Sequence, residues 1–194
     1  MQNGAVAAIC VFCGSSSGID GRYAEHAAAL GTAIAERGHD LVYGGGHVGL
    51  MGVVADAALT AGGTVTGVMT EHLVAAEVAH AGLTTLEVTS SMHRRKARMA
   101  ELADGVIVLP GGFGTLDETF EIVTWNQLGL VAMPVVVLDV LDHFAPLFEF
   151  VERSVAAGFV SARHAQLMSR VSSVDEALLA ATAPVGEYSP KWLG

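Results

Sequence analysis

Two short stretches of the chain carry residues whose types and spacing can do chemistry. The first is Leu109-Pro110-Gly111-Gly112-Phe113-Gly114-Thr115-Leu116-Asp117-Glu118. Three glycines within four positions cost more backbone entropy than a simple strand-to-helix turn requires. Such a turn lets a bulky anion approach the backbone, where the free N–H groups and positive dipole end of the next helix meet it. Thr115 would add a hydroxyl, and Glu118 would project toward whatever the anion is attached to. A plainer reading accounts for the same residues: Thr115-x-x-Glu118 matches a capping box, with the threonine as N-cap. The residues alone leave both readings open.

The second stretch is Met92-His93-Arg94-Arg95-Lys96-Ala97-Arg98-Met99, which holds four of the ten lysines and arginines of the chain. Cations at the start of a helix oppose its dipole, so a cluster placed there against the local field points to function. An arginine in it can hold a phosphate or a carboxylate bidentately. The alternative is a solvated basic face, paired at short spacing with Glu101 and Asp104.

Other motifs compete. Gly44-Gly45-Gly46-His47-Val48-Gly49 fits G-x-G-x-x-G, and Glu71 follows about twenty residues later, as a dinucleotide fingerprint asks. Taken literally, that marks a dinucleotide-dependent oxidoreductase, although the motif follows the second apparent strand rather than the first. Cys10 and Cys13 form a C-x-x-C, but side chains three apart on a strand point to opposite faces. No second cysteine pair completes a zinc site, and the histidines lack metal-ligand spacing, so no metal is expected. Buried structural thiols and a reducing, cytoplasmic compartment are the expectation. The serines of Gly14-Ser15-Ser16-Ser17 lack a nucleophile elbow and suit turns or a phosphate contact.

These residues must be positioned by something. Apolar runs such as AVAAICVF, DLVY, TVTGVM, LTTLEV, DGVIVL and MPVVVLDV alternate with alanine-rich amphipathic runs. Strands apolar throughout, separated by helices, predict a Rossmann-like doubly wound α/β fold: a parallel sheet with helices on both faces. One domain is expected over 1–183, with a tail over 184–194. In such sheets ligands sit outside the carboxyl ends of the strands, and three glycine- or serine-rich loops leave that edge, after residues 13, 43 and 110. The net charge of −10 argues against duplex nucleic acid or an anionic membrane as partner. No apolar run reaches the length of about eighteen residues that reads as a membrane span. The chain is 52% apolar and only 15% charged, a balance that suits burial of further surface in an oligomer.

With both stretches in hand, the chain resembles the LOG family, the cytokinin riboside 5′-monophosphate phosphoribohydrolases, older members of which were labelled "possible lysine decarboxylases". The family's signatures M-H-x-R-K and P-G-G-x-G-T-x-x-E are matched by Met92 to Lys96 and by Pro110 to Glu118. VFCGSS, YGGGHVGLMG, EVAH from Glu77 and TWNQLG from Thr124 extend the likeness over about Val11 to Ser161. The resemblance implies a homodimer without a cofactor that hydrolyses the N-glycosidic bond of N6-modified adenosine 5′-monophosphates, giving free base and ribose 5-phosphate. It assigns catalysis to Arg95 and Glu118. Substrate binding falls on Glu77, Lys96, Gly112, Phe113, Gly114, Thr115, Leu116, Asp117 and Thr124. Where relatives often carry G-I-H-x-K-P, this chain has Leu130-Val131-Ala132-Met133-Pro134 after Gly129, without the histidine and lysine. A lysine decarboxylase would need a Schiff-base lysine in a pyridoxal pocket; the only lysines are Lys96, in the basic motif, and Lys191, in the tail. A carrier that binds a nucleotide or cofactor on the same scaffold without turnover is the alternative from another class.

Overall fold

The computed structural model describes residues 6–76 and 78–185. Seven strands alternate with helices: β1 (Ala8–Phe12), α1 (Gly21–Glu36), β2 (Asp40–Tyr43), α2 (Gly49–Thr60), β3 (Val65–Thr70), α3 (Glu71–Ala75), β4 (Thr85–Thr89), α4 (Met92–Leu102), β5 (Gly105–Val108), α5 (Phe113–Leu128), β6 (Val135–Leu138), α6 (Ala145–Ala156), α7 (Ala162–Ala165), β7 (Ser169–Val171) and α8 (Val174–Ala181). All strand pairs are parallel, in the order β4-β3-β2-β1-β5-β6-β7. The winding therefore reverses between β1 and β5, where such sheets open a crevice for ligands.

Two apolar layers sandwich the sheet. Ile9, Val11, Leu41, Tyr43 and Ile107 pack against α1, α2 and α8. Cys10, Phe12, Val42, Val106 and Val108 face α4, α5 and α6. β5 and β6 are buried along their whole length, which is why both read as uninterrupted apolar runs. The alternation of side chains on β1 sends Cys10 to one layer and Cys13 to the other. Both thiols are free and buried, and burial followed by the negative charge of Glu118 pushes each thiol up, away from the reactive thiolate.

The structure adds three elements to the sequence reading. Residues 71–75, too few to show a helical period in the sequence, form α3, capped by the Thr70 hydroxyl, which accepts from the Leu73 N–H at 3.4 Å. α7 is a single turn capped by Ser161. β7 is a short edge strand, Ser-Arg-Val, too polar to announce itself by an apolar run. No helix among the described residues is long and apolar enough to cross a membrane. Most of the expected tail, from residue 186 onward, lies outside the described residues.

Candidate active site

The loops after β1, β2 and β5 meet at the switch point. The Gly14 N–H donates to the Pro110 carbonyl at 3.0 Å, and the Leu50 N–H to the Gly14 carbonyl at 3.0 Å. They border a cleft of about 360 Å³. Its polar side includes Ser15, Thr115, Arg95 and Glu118 with the glycine backbone of both turns; its apolar side includes Val48, Met51, Met69, Leu73 and Val78, and Phe113 stands at its border.

The start of α5 bears on the capping-box reading of the glycine turn. Gly112 is the N-cap, with no side-chain cap bond, and the helix begins at Phe113. Thr115 is thus the third helical residue, buried, and its carbonyl accepts the Thr119 hydroxyl at 2.6 Å. Glu118 stands a further turn along and does not reach the cap. The capping-box reading falls. The first N–H groups of α5 have no intrahelical carbonyl to meet, as at any helix start, and they border the cleft. Gly111 has to be glycine: a Cβ there would collide with the Thr115 hydroxyl and crowd the Gly14 N at 2.9 Å.

Arg95, on α4, crosses beneath the cleft. Its Nε donates to the Val68 carbonyl at 2.7 Å, Nη2 to the Gly44 carbonyl at 3.1 Å and Nη1 to Glu118 Oε1 at 3.1 Å. One guanidinium therefore ties the middle of β3, the glycine triplet after β2 and the first turns of α5. A Cβ on Gly44 would collide with Nη2, and one on Gly49 would strike the Ser15–Ser16 backbone. The G-x-G-x-x-G spacing thus serves packing within the chain, and Glu71 stands exposed at the start of α3, outside the cleft lining.

Glu118 is nearly buried, and desolvation raises its pKa above the ordinary carboxylate value, against the opposing pull of Arg95. Only its Oε1 is engaged among the described residues. The pair is a carboxylate made more basic than usual, held beside a fixed cation at the mouth of a helix N-terminus. No cluster of metal-ligating side chains occurs among the described residues.

The other expected site residues divide. Gly112, Phe113, Gly114 and Thr115 line the cleft with Arg95 and Glu118. Lys96 does not: its Nζ sits 2.9 Å from Asp117 and 3.0 Å from Glu121. Burial lowers its pKa, and the two carboxylates more than reverse this. Asp117 is occupied by that pairing, and Leu116 packs on the apolar layer of α4 and α6. Thr124 donates to the Phe120 carbonyl at 2.6 Å, three helical turns from the glycines. Glu77 lies outside the described residues. Arg98 pairs with Glu87 and Glu101, while Asp104 caps nothing basic and instead accepts the Ala8 N–H at 2.8 Å. Sequence reasoning missed the apolar wall. Met51, Met69 and Val78 come from three separate segments, and only their nearness to the glycine-rich loops hinted at a site.

The family model described as "Possible lysine decarboxylase" matches residues 51–181. A cytokinin riboside 5′-monophosphate phosphoribohydrolase of Rhodococcoides fascians is 44% identical over 177 residues, covering 91% of this chain and 89% of its own. The rice enzyme of that name, LOG, is 41% identical, covering 93% and 74%, and Arabidopsis thaliana LOG7 is 41% identical, covering 95% and 83%. Among solved structures, the molybdenum cofactor carrier protein of Chlamydomonas reinhardtii superposes with a TM-score of 0.68 at 22% identity, covering 90% of this chain and 95% of its own. The molybdenum cofactor binding protein of Rippkaea orientalis gives 0.67 at 21%, covering 90% and 94%. At that identity these two structures establish the shared fold alone.

Proposed function

The chain belongs to the LOG family of cytokinin riboside 5′-monophosphate phosphoribohydrolases, and from that we propose that it hydrolyses the N-glycosidic bond of an adenosine 5′-monophosphate bearing an N6 substituent. The observation that carries this reading is the Arg95–Glu118 pair set under the N-terminus of α5. The 5′-phosphate binds to the N–H groups of residues 112–115, where the helix dipole favours an anion. The sugar then lies over Glu118. As the bond from C1′ to the base nitrogen lengthens, positive charge grows on the ribose, and the ionised carboxylate stabilises it and orients the attacking water. Water supplies oxygen to C1′ and a proton to the departing base, so free base and ribose 5-phosphate leave without any redox change. Arg95 fixes the carboxylate and keeps it ionised when required. The apolar wall of Val48, Met51, Met69, Leu73 and Val78 suits the base and an alkyl group on its N6. Phosphate binding remote from the broken bond is thereby turned into orientation of the sugar.

Lys96, Asp117 and Thr124 stand outside the cleft lining, so the proposed substrate contacts rest on residues 112–115, Arg95 and Glu118. The protein acts as a homodimer in the cytoplasm on this reading. Exposed apolar side chains on and beside α5, Phe113, Phe120 and Leu130, offer what a partner subunit would cover, and the two reduced cysteines suit that compartment.

The test is chromatography of the purified protein incubated separately with AMP and with isopentenyladenosine 5′-monophosphate. Release of free base and ribose 5-phosphate, lost in Glu118→Ala, is the expected result. Binding of either nucleotide without release would instead make the protein a carrier.

A further inference from the structure

The turn after β6 is held in an unfavourable conformation. Among the described residues, the two non-glycine residues with positive φ are Leu141 at 58° and Asp142 at 55°, a region where side-chain-bearing residues are strained. A scaffold anchored on the buried Asp139 holds it. Asp139 accepts the Phe144 N–H at 2.9 Å on Oδ1 and the Arg170 Nε at 2.7 Å on Oδ2. Arg170 also reaches Asp142 at 2.7 Å, so β7 clamps both ends of the turn.

The product of this strain is the position of His143. Its ring meets Tyr23 and Phe144 edge-on, with centroids 6.0 and 4.8 Å away. Its Nε2 lies 3.2 Å from the Gly111 carbonyl. A carbonyl only accepts, so Nε2 carries the proton there. The Gly111–Gly112 peptide is trans, as are the others described, and the C=O and N–H of a planar trans peptide point in opposite directions. Holding the Gly111 oxygen toward His143 therefore turns the Gly112 N–H away from it. Gly112, like Gly14 and Ser15, lines both the small cavity that His143 borders and the cleft that Arg95 and Glu118 line.

We propose that His143 is a positioning residue for phosphate: it fixes the plane of the Gly111–Gly112 peptide so that the Gly112 N–H joins those of α5 in facing the anion. This rests on the phosphoribohydrolase reading, and gives the strained turn a purpose outside the cleft. Glycine supplies the freedom for a close approach at residues 111 and 112, and His143 removes that freedom again.

His143→Phe keeps the ring and its packing but loses the donor; His143→Gln restores a donor. For each, kcat and KM with isopentenyladenosine 5′-monophosphate, inhibition by inorganic phosphate and by ribose 5-phosphate, and thermal melting are measured. The Phe variant is expected to raise KM and both inhibition constants together, by about three- to tenfold for one hydrogen bond, with kcat within about twofold and melting unchanged. The Gln variant recovers most of that loss. Unchanged phosphate inhibition in the Phe variant overturns the proposal while leaving the hydrolase intact, as does a loss confined to kcat or one equal in the Gln variant. A wild-type protein that neither cleaves the nucleotide nor responds to phosphate overturns both. Should the Phe variant melt early, His143→Leu, which also lacks a donor, is read in its place: its KM and both inhibition constants rise as above, and an unchanged KM overturns the proposal.

Discussion

Arg95 and Arg98 are one helical turn apart on the same helix, and their fates differ. The Arg95 side chain is 7% exposed and spends its donors on Val68, Gly44 and Glu118. Arg98 is 38% exposed and forms a fork with Glu87 and a local pair with Glu101. Each makes an ion pair of good geometry. Only the first is removed from water, and only there does a charge have consequences beyond its own pair. Burial makes Glu118 more basic and joins a strand, a loop and a helix through one guanidinium, whereas solvent screens Arg98 and leaves it a surface ornament of α4. The contrast is that the reach of a charge follows its desolvation.

Removing the carboxylate charge breaks the comparison most sharply. Glu118→Gln keeps the size of the side chain and is expected to lower kcat by about 10²- to 10³-fold, the scale of losing one preorganised electrostatic contact, with circular dichroism unchanged. Next comes Arg95→Ala, which strands a buried carboxylate and opens three carbonyl or carboxylate contacts. We expect it to cost about 3–5 kcal/mol of stability as well as activity, seen in urea denaturation. Arg95→Lys should not restore either, because an ammonium cannot span Val68, Gly44 and Glu118 from one plane.

The pH profile sharpens the contrast further. In the proposed mechanism Glu118 acts as the carboxylate, and burial has raised its pKa above the ordinary value. Activity should therefore fall on acidification at a higher pH than an unperturbed glutamate would give, and the acidic limb of kcat/KM measures this directly. The sign for stability is opposite to that of a salt-bridged surface carboxylate. As pH falls through the raised folded-state value toward the unfolded one, the native state takes up the proton first and the contribution of Glu118 to stability increases. An acidic limb at the usual carboxylate position would mean that the site is wetter than the fold describes. The smallest effect is expected at Arg98→Ala: full activity and a melting temperature within about two degrees of wild type. A large loss there would erase the distinction between the two arginines.

Much of the fold was legible because its signals are local. Continuous apolar runs such as Gly105–Val108 and Val135–Leu138 report strands buried on both faces, and the serine before Met92 reports a helix start, with its hydroxyl accepting the Arg94 N–H at 3.3 Å. The short α3 and the polar β7 were missed because neither is long enough to show a period. In the site, the glycine turn and the basic motif were visible as odd compositions. The sequence could not say which reading of Thr115-x-x-Glu118 holds, since the helix starts two residues before the threonine.

What residue order alone determined is therefore the alternation of elements, the edge of the sheet where the loops gather and the two stretches of unusual composition. What only the tertiary structure decided is which basic residue goes inside. Arg94, Arg95, Lys96 and Arg98 share one charge and one helix. Arg95 is selected by partners 27, 51 and 23 residues away, while Lys96 is diverted to Asp117 and Glu121. Desolvation depends on everything packed around a group, and that surrounding is assembled from distant parts of the chain.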